Sequence, residues 1–84
     1  MSAAQHTPGR LVMIRAKLQQ QALHADTHGS NALANGNAAR ECGNAARAES
    51  YYATGQYWLD RSNTLRDKIV VIDAALAKAQ EAAS

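Results

Sequence analysis

Eighty-four residues make one small domain, and the apolar fraction of 46% overstates its interior because nineteen of those residues are Ala, beside seven Leu, three Val, three Ile, one Trp and no Phe. At roughly 1.5–3 kcal/mol for each fully buried Leu-sized side chain, a lone monomer is marginal, and association with itself or with a partner is the expected remedy. A net charge of +2 is too small by itself to argue for nucleic acid, and the single Cys42 excludes an intrachain disulfide and a Cys-rich metal scaffold. The longest run of large apolar residues, Leu11-Val12-Met13-Ile14, is too short for a membrane span or a signal-peptide core, so the expectation is a soluble, cytoplasmic protein without a membrane partner.

In chain order, residues 1–6 read as a frayed tail. Thr7-Pro8 is a helix start: Thr can accept from free backbone N–H groups, and Pro is tolerated at the first helical position. Leu11, Ile14, Leu18, Ala22 and Ala25 recur at three- and four-residue steps, which predicts an amphipathic helix over 8–27. Arg10, Arg15 and Lys17 precede the first acid, Asp26, and read as a solvated face rather than as a transit peptide. His28-Gly29-Ser30-Asn31 carries stop and turn chemistry, which places a turn at 28–31.

The pentapeptide Gly-Asn-Ala-Ala-Arg then occurs twice, at 36–40 and 43–47, one heptad apart. Gly29, Gly36, Gly43 and Ser50 share one heptad position, and Ala32, Ala39, Ala46 and Ala53 share another. On one continuous helix these rows form a flat seam, with Gly36, Ala39, Gly43, Ala46, Ser50 and Ala53 as its packing residues. A Gly inside an exposed helix costs about 1 kcal/mol relative to Ala. The glycines therefore either admit a neighbouring backbone or mark a loose Asn- and Gly-rich loop, and the heptad register favours the first. A helix over 32–62 follows. Asp60-Arg61-Ser62-Asn63-Thr64 is a polar run in which Thr64 and Asp67 have capping-box spacing, so a break near 62–64 and a separate helix over 64–81 compete with continuity. Leu65, Ile69, Ile72, Leu76, Ala79 and Ala83 form an apolar stripe that reads as core.

Few residues suggest reaction chemistry. His24 and His28 have the spacing of a shared metal pair, with Asp26 and His6 near in sequence, but placement beside a helix end explains them equally, and no metal or cofactor is expected. Cys42 lacks an identifiable base and reads as a small, partly buried hydrophobe, an interchain disulfide being its alternative. No catalytic residues are assigned, and the expectation is a non-enzyme. All the aromatics fall within Tyr51–Trp58, and with Arg40, Arg47 and Arg61 they have the composition of an interface hot spot. Arg40, Arg47, Tyr51, Tyr52, Trp58 and Arg61 are the candidate partner contacts, with Tyr52 the most outward and Trp58 first of all a core residue. Arg40, Arg47, Arg61 and Lys68 share a heptad position that could track a phosphate backbone. Glu41, Glu49, Asp60 and Asp67 lie close by in sequence and moderate that field, so nucleic acid ranks behind a protein partner.

The opening Gln5-His6-Thr7-Pro8-Gly9 resembles the start of many small proteins encoded by bacteriophages and prophages, where a His-Thr-Pro-Gly motif recurs near the N-terminus. Where those proteins often continue Pro-Trp into a strand, this chain continues Arg10-Leu11 into a helix. The resemblance covers these five residues and implies a phage or mobile-element origin. Small size and the lack of a catalytic motif suit an accessory protein, including inhibitors of host defence of the anti-CRISPR type.

The expected fold is all-α, a helical hairpin or three-helix bundle with a long Ala/Gly-seamed second helix, completed by homodimerisation. The expected function is non-enzymatic interaction with a protein, a host protein if the chain is of phage or mobile-element origin. A self-assembling scaffold and a small nucleic-acid-associated regulator are the alternatives.

Overall fold

The computed structural model describes residues 8–83, which form two antiparallel helices, α1 (Pro8–Glu41) and α2 (Ala45–Ala83), joined by a three-residue turn at 42–44. The fold is the helical hairpin, and no strand occurs among the described residues. The tail expected over 1–6 and the capping Thr7 lie outside them.

Two corrections concern where the helices end. The turn expected at 28–31 is helical, because Gly29 faces the opposite helix and the backbone hydrogen bonding of α1 continues to Glu41. The reversal lies at Gly43, whose φ of +80° suits a residue without Cβ. The Asn44 N–H donates to the Ala39 carbonyl and the Gly43 N–H to the Arg40 carbonyl, the paired bonds that close a helix C-terminus. Asn44 then starts α2: its side-chain oxygen accepts from the Arg47 N–H at 3.1 Å. The break near 62–64 does not form either. Ser62 is 2% exposed within a continuous helix, and the Thr64 hydroxyl donates back to the Asp60 carbonyl rather than capping a new start.

The two copies of Gly-Asn-Ala-Ala-Arg therefore adopt different structures, helix at 36–40 and turn plus helix start at 43–47. The turn also resets the heptad phase. In α1 the inward residues are Leu11, Arg15, Leu18, Ala22, Ala25, Gly29, Ala32, Gly36 and Ala39, in unbroken four- and three-residue steps. In α2 they are Ala48, Gly55, Ser62, Leu65 and Ile69, flanked by half-buried Tyr51, Tyr52, Trp58, Leu59, Ile72 and Leu76. Of the expected seam, Gly36 and Ala39 hold their place. Gly43, Ala46, Ser50 and Ala53 are exposed, because the rows they extend belong to a helix that has already ended. Ile14, expected inward, is exposed, and Arg15 takes its place.

Facing residues have numbers adding to 88: Arg15 with Asp73, Asp26 with Ser62, Gly29 with Leu59, Leu33 with Gly55, Gly36 with Tyr52. The glycines permit this register. A Cβ on Gly29 would stand 2.9 Å from Leu59, and one on Gly55 would stand 2.9 Å from Leu33 and 3.2 Å from the Gly29 carbonyl oxygen. Each leucine thus fills the space left by the glycine opposite, and the backbones touch. Asp26 crosses the seam, accepting from the Ser62 hydroxyl and the Arg66 guanidinium; these bonds hold its carboxyl below its usual pKa against the opposing effect of burial. Arg15 and Asp73 pair similarly toward the open end.

The hairpin measures 61 × 22 × 13 Å, close to the roughly 58 Å that 39 helical residues span at about 1.5 Å each. Its accessible surface of 6212 Å² exceeds the roughly 4,900 Å² expected of a globular chain of this mass. The core is one seam thick.

Candidate binding face

Because the seam keeps one heptad phase along both helices, every other side chain can be assigned to one of the hairpin's two broad faces or to the outer edge of its helix. One face carries Arg10, Lys17, Arg47, Arg61, Lys68 and Lys78, together with His24 and His28, and no acid. The acids lie elsewhere: Asp26, Glu49 and Asp73 on the opposite face, and Glu41, Asp60, Asp67 and Glu81 along the outer edges of the two helices. Arg40 and Arg66 lie on that second face, and Arg15, in the seam, leans to it through Asp73. The net charge of +2 is thus the remainder of +6 on one face against three arginines and seven acids, −4, over the rest of the surface. Of the acids expected to moderate the basic row, Glu49 lies on the opposite face and Glu41, Asp60 and Asp67 on the outer edges, off the basic face.

Three of the four Tyr and Trp residues accompany the cations. Trp58 is half-buried at the seam's edge, and the exposed His28 imidazole stacks on it at 4.8 Å between centroids and 26° between planes. Tyr57, 60% exposed, meets the indole edge to face at 5.3 Å, and His24 does so at 6.5 Å. Trp58, Tyr57 and His24 open into a shallow cleft bordered by Lys17, Gln21 and Arg61. Toward the turn, Arg47 and Tyr51 border a smaller depression with Asn35.

Of the six residues expected to contact a partner, Arg47, Tyr51, Trp58 and Arg61 are brought together on the basic face. Arg40 and Tyr52 are not. Tyr52, expected to point outward, is half-buried: its ring covers Gly36, where a Cβ would stand 2.6 Å away, and its hydroxyl donates to the Asn37 side-chain oxygen at 2.6 Å. Cys42, expected to be partly buried, is exposed in the turn, which carries it out of the seam.

His24 and His28 share a hydrogen bond between their Nε2 atoms at 2.9 Å, while Asp26 is engaged across the seam. No group of three or more His, Cys, Asp or Glu is placed to hold a metal ion among the described residues. The sequence does not show the His28–Trp58 stack or the cleft that Lys17 shares with Trp58. Both belong to the face only once the helices are paired with numbers adding to 88, and no local pattern carries that register.

No helix among the described residues is long and apolar enough to cross a membrane. Comparison with protein-family models, with curated proteins and with solved structures returns no match for this chain.

Proposed function

We propose that this protein is a non-enzymatic binding module that engages an extended, negatively charged partner through its basic, aromatic face. The segregation of charge carries the reading: six cations share one face with no acid, in a chain whose net charge is only +2. Cations gathered on one surface attract polyanions and speed their encounter, whereas the same charges interleaved with acids would not. Together with the phage-like start at Gln5–Gly9, the reading is of an accessory protein that works inside a bacterial host by occupying a host component, as inhibitors of host defence do.

Immobilised heparin, a generic polyanion, tests the face. Arg61→Glu and Arg40→Glu change net charge equally, on opposite faces. Arg61→Glu should elute at clearly lower salt than the unaltered protein, and Arg40→Glu close to it. Equal displacement of both would mean that net charge alone governs binding and would sink the reading.

Self-association is a second reading with its own observation. Val12, Met13, Leu23 and Val70 are each more than half exposed and lie on the face opposite the basic one, toward the open end. Pairing two hairpins there would cover apolar surface and leave both basic faces free. Sedimentation equilibrium should then give a dimer that Val70→Glu converts to monomer; a monomer at all concentrations removes this reading.

A further inference from the structure

We infer, resting on the proposed polyanion-binding face, that its ligand is a single-stranded nucleic acid, with bases stacked on the Tyr57–Trp58–His28 cluster and phosphates along Lys17, Arg61 and Lys68. Single strands without sequence preference are held by aromatic platforms beside a track of cations, since every base has a π-face and every nucleotide a charge. Both parts occur here in one place. The exposed Tyr57 ring and Trp58, on which His28 stacks, open into a cleft whose rim carries Lys17 and Arg61. Lys68 lies one heptad beyond Arg61, about 10 Å along the same side of α2.

Alternatives fit less well. A duplex hides its bases from an aromatic platform, and the cluster lies midway along the hairpin, on a flat pair of helices rather than at a projecting helix that could enter a groove. An acidic protein partner would bring apolar side chains for the centre of its interface. Yet of the exposed large aliphatics only Ile14 and Val71 lie on this face, at the level of Lys17 rather than around the aromatic cluster. Around the aromatic cluster the face offers rings, cations and the amides of Gln21, Asn31 and Asn35.

Trp58 is the only tryptophan, so its fluorescence reports on the platform directly. The full-length protein is titrated with oligothymidylate of about 12 nucleotides, the corresponding duplex with oligoadenylate, and polyglutamate of similar charge. The single strand should quench the fluorescence and bind more tightly than the duplex. Its affinity should fall with salt, and Lys68→Gln should reduce that slope by close to one phosphate contact, about 0.7 in the logarithmic plot. Tyr57→Ala, at an exposed position that leaves the fold intact by circular dichroism, should weaken binding about 5- to 150-fold, the loss of one stacked base. Polyglutamate binding as tightly as the oligonucleotide, with no effect of Tyr57→Ala, would overturn the nucleic-acid inference and leave the polyanion face standing. Preference for the duplex would overturn the single-strand assignment. Binding of none of the three would overturn both proposals.

Discussion

Gly36→Ala isolates the close approach of the helices. Propensity alone favours it by about 1 kcal/mol, since Ala is the better helix former. The added Cβ, however, would stand 2.6 and 2.7 Å from two carbons of the Tyr52 ring and 3.3 Å from the Tyr51 Cβ. The ring must move, at about 1–3 kcal/mol for overpacking, and its hydroxyl loses Asn37, at about 0.5–1.5 kcal/mol. The expected net loss is about 0.5–3.5 kcal/mol. For 84 residues this lowers the melting temperature by about 3–20 °C. Thermal unfolding followed by far-UV circular dichroism measures it. The decisive companion is the same substitution in a Tyr52→Ala background, where the clash is gone and Gly36→Ala should become neutral or stabilising. Gly43→Ala makes a contrast: nothing lies within 4 Å of its Cβ, but the positive φ costs about 1–2 kcal/mol, which Gly43→Asn should largely recover. If Gly36→Ala raises the melting temperature of the otherwise unaltered protein, the backbones are not held close at this level and the seam described above is wrong.

Other expectations follow from the same register. Ala46→Leu, at an exposed position, should change stability by less than about 0.5 kcal/mol, whereas Ala48→Leu, at a site 3% exposed, should cost about 1–3 kcal/mol; urea unfolding separates them. Thr64→Ala should be neutral or slightly stabilising because α2 runs through this position; a loss near 1 kcal/mol, as for a removed cap, would indicate a helix start there. Asp26 has a folded-state pKa below its unfolded value of about 3.9, so its contribution is fully present above that value and is lost as pH falls through the folded pKa. Melting temperatures of the unaltered protein and Asp26→Asn should therefore converge on acidification below about pH 4, and a constant difference between them would contradict the assignment.

Much of the construction is legible in the sequence. The all-helical class follows from three- and four-residue apolar spacing, the absence of strand-like alternation and a Pro confined to the first helical position. The heptad rows through Gly29, Gly36, Ala32 and Ala39 correctly mark the inward surface of α1, and the stripe from Leu65 to Ala79 marks that of α2, its last expected member, Ala83, being exposed. Both are short-range properties, fixed by the rotation of the backbone per residue. The place of the reversal is not. His28-Gly29-Ser30-Asn31 and Cys42-Gly43-Asn44 both carry turn residues, and the chain turns where reversal lets Leu59 close over Gly29 and Leu33 over Gly55. A glycine that ends one helix and a glycine that admits a facing helix look alike in sequence. Their difference is a tertiary contact. The basic face follows from the same choice: with the turn at Gly43, Arg61 turns to that face while its neighbour Asp60 points to the outer edge of α2, His28 stacks on Trp58, and Lys17 joins the cleft that Trp58 lines. Charge composition is a property of the chain, but the field that a ligand meets depends on which charges share a surface, and only the pairing of the two helices sets that.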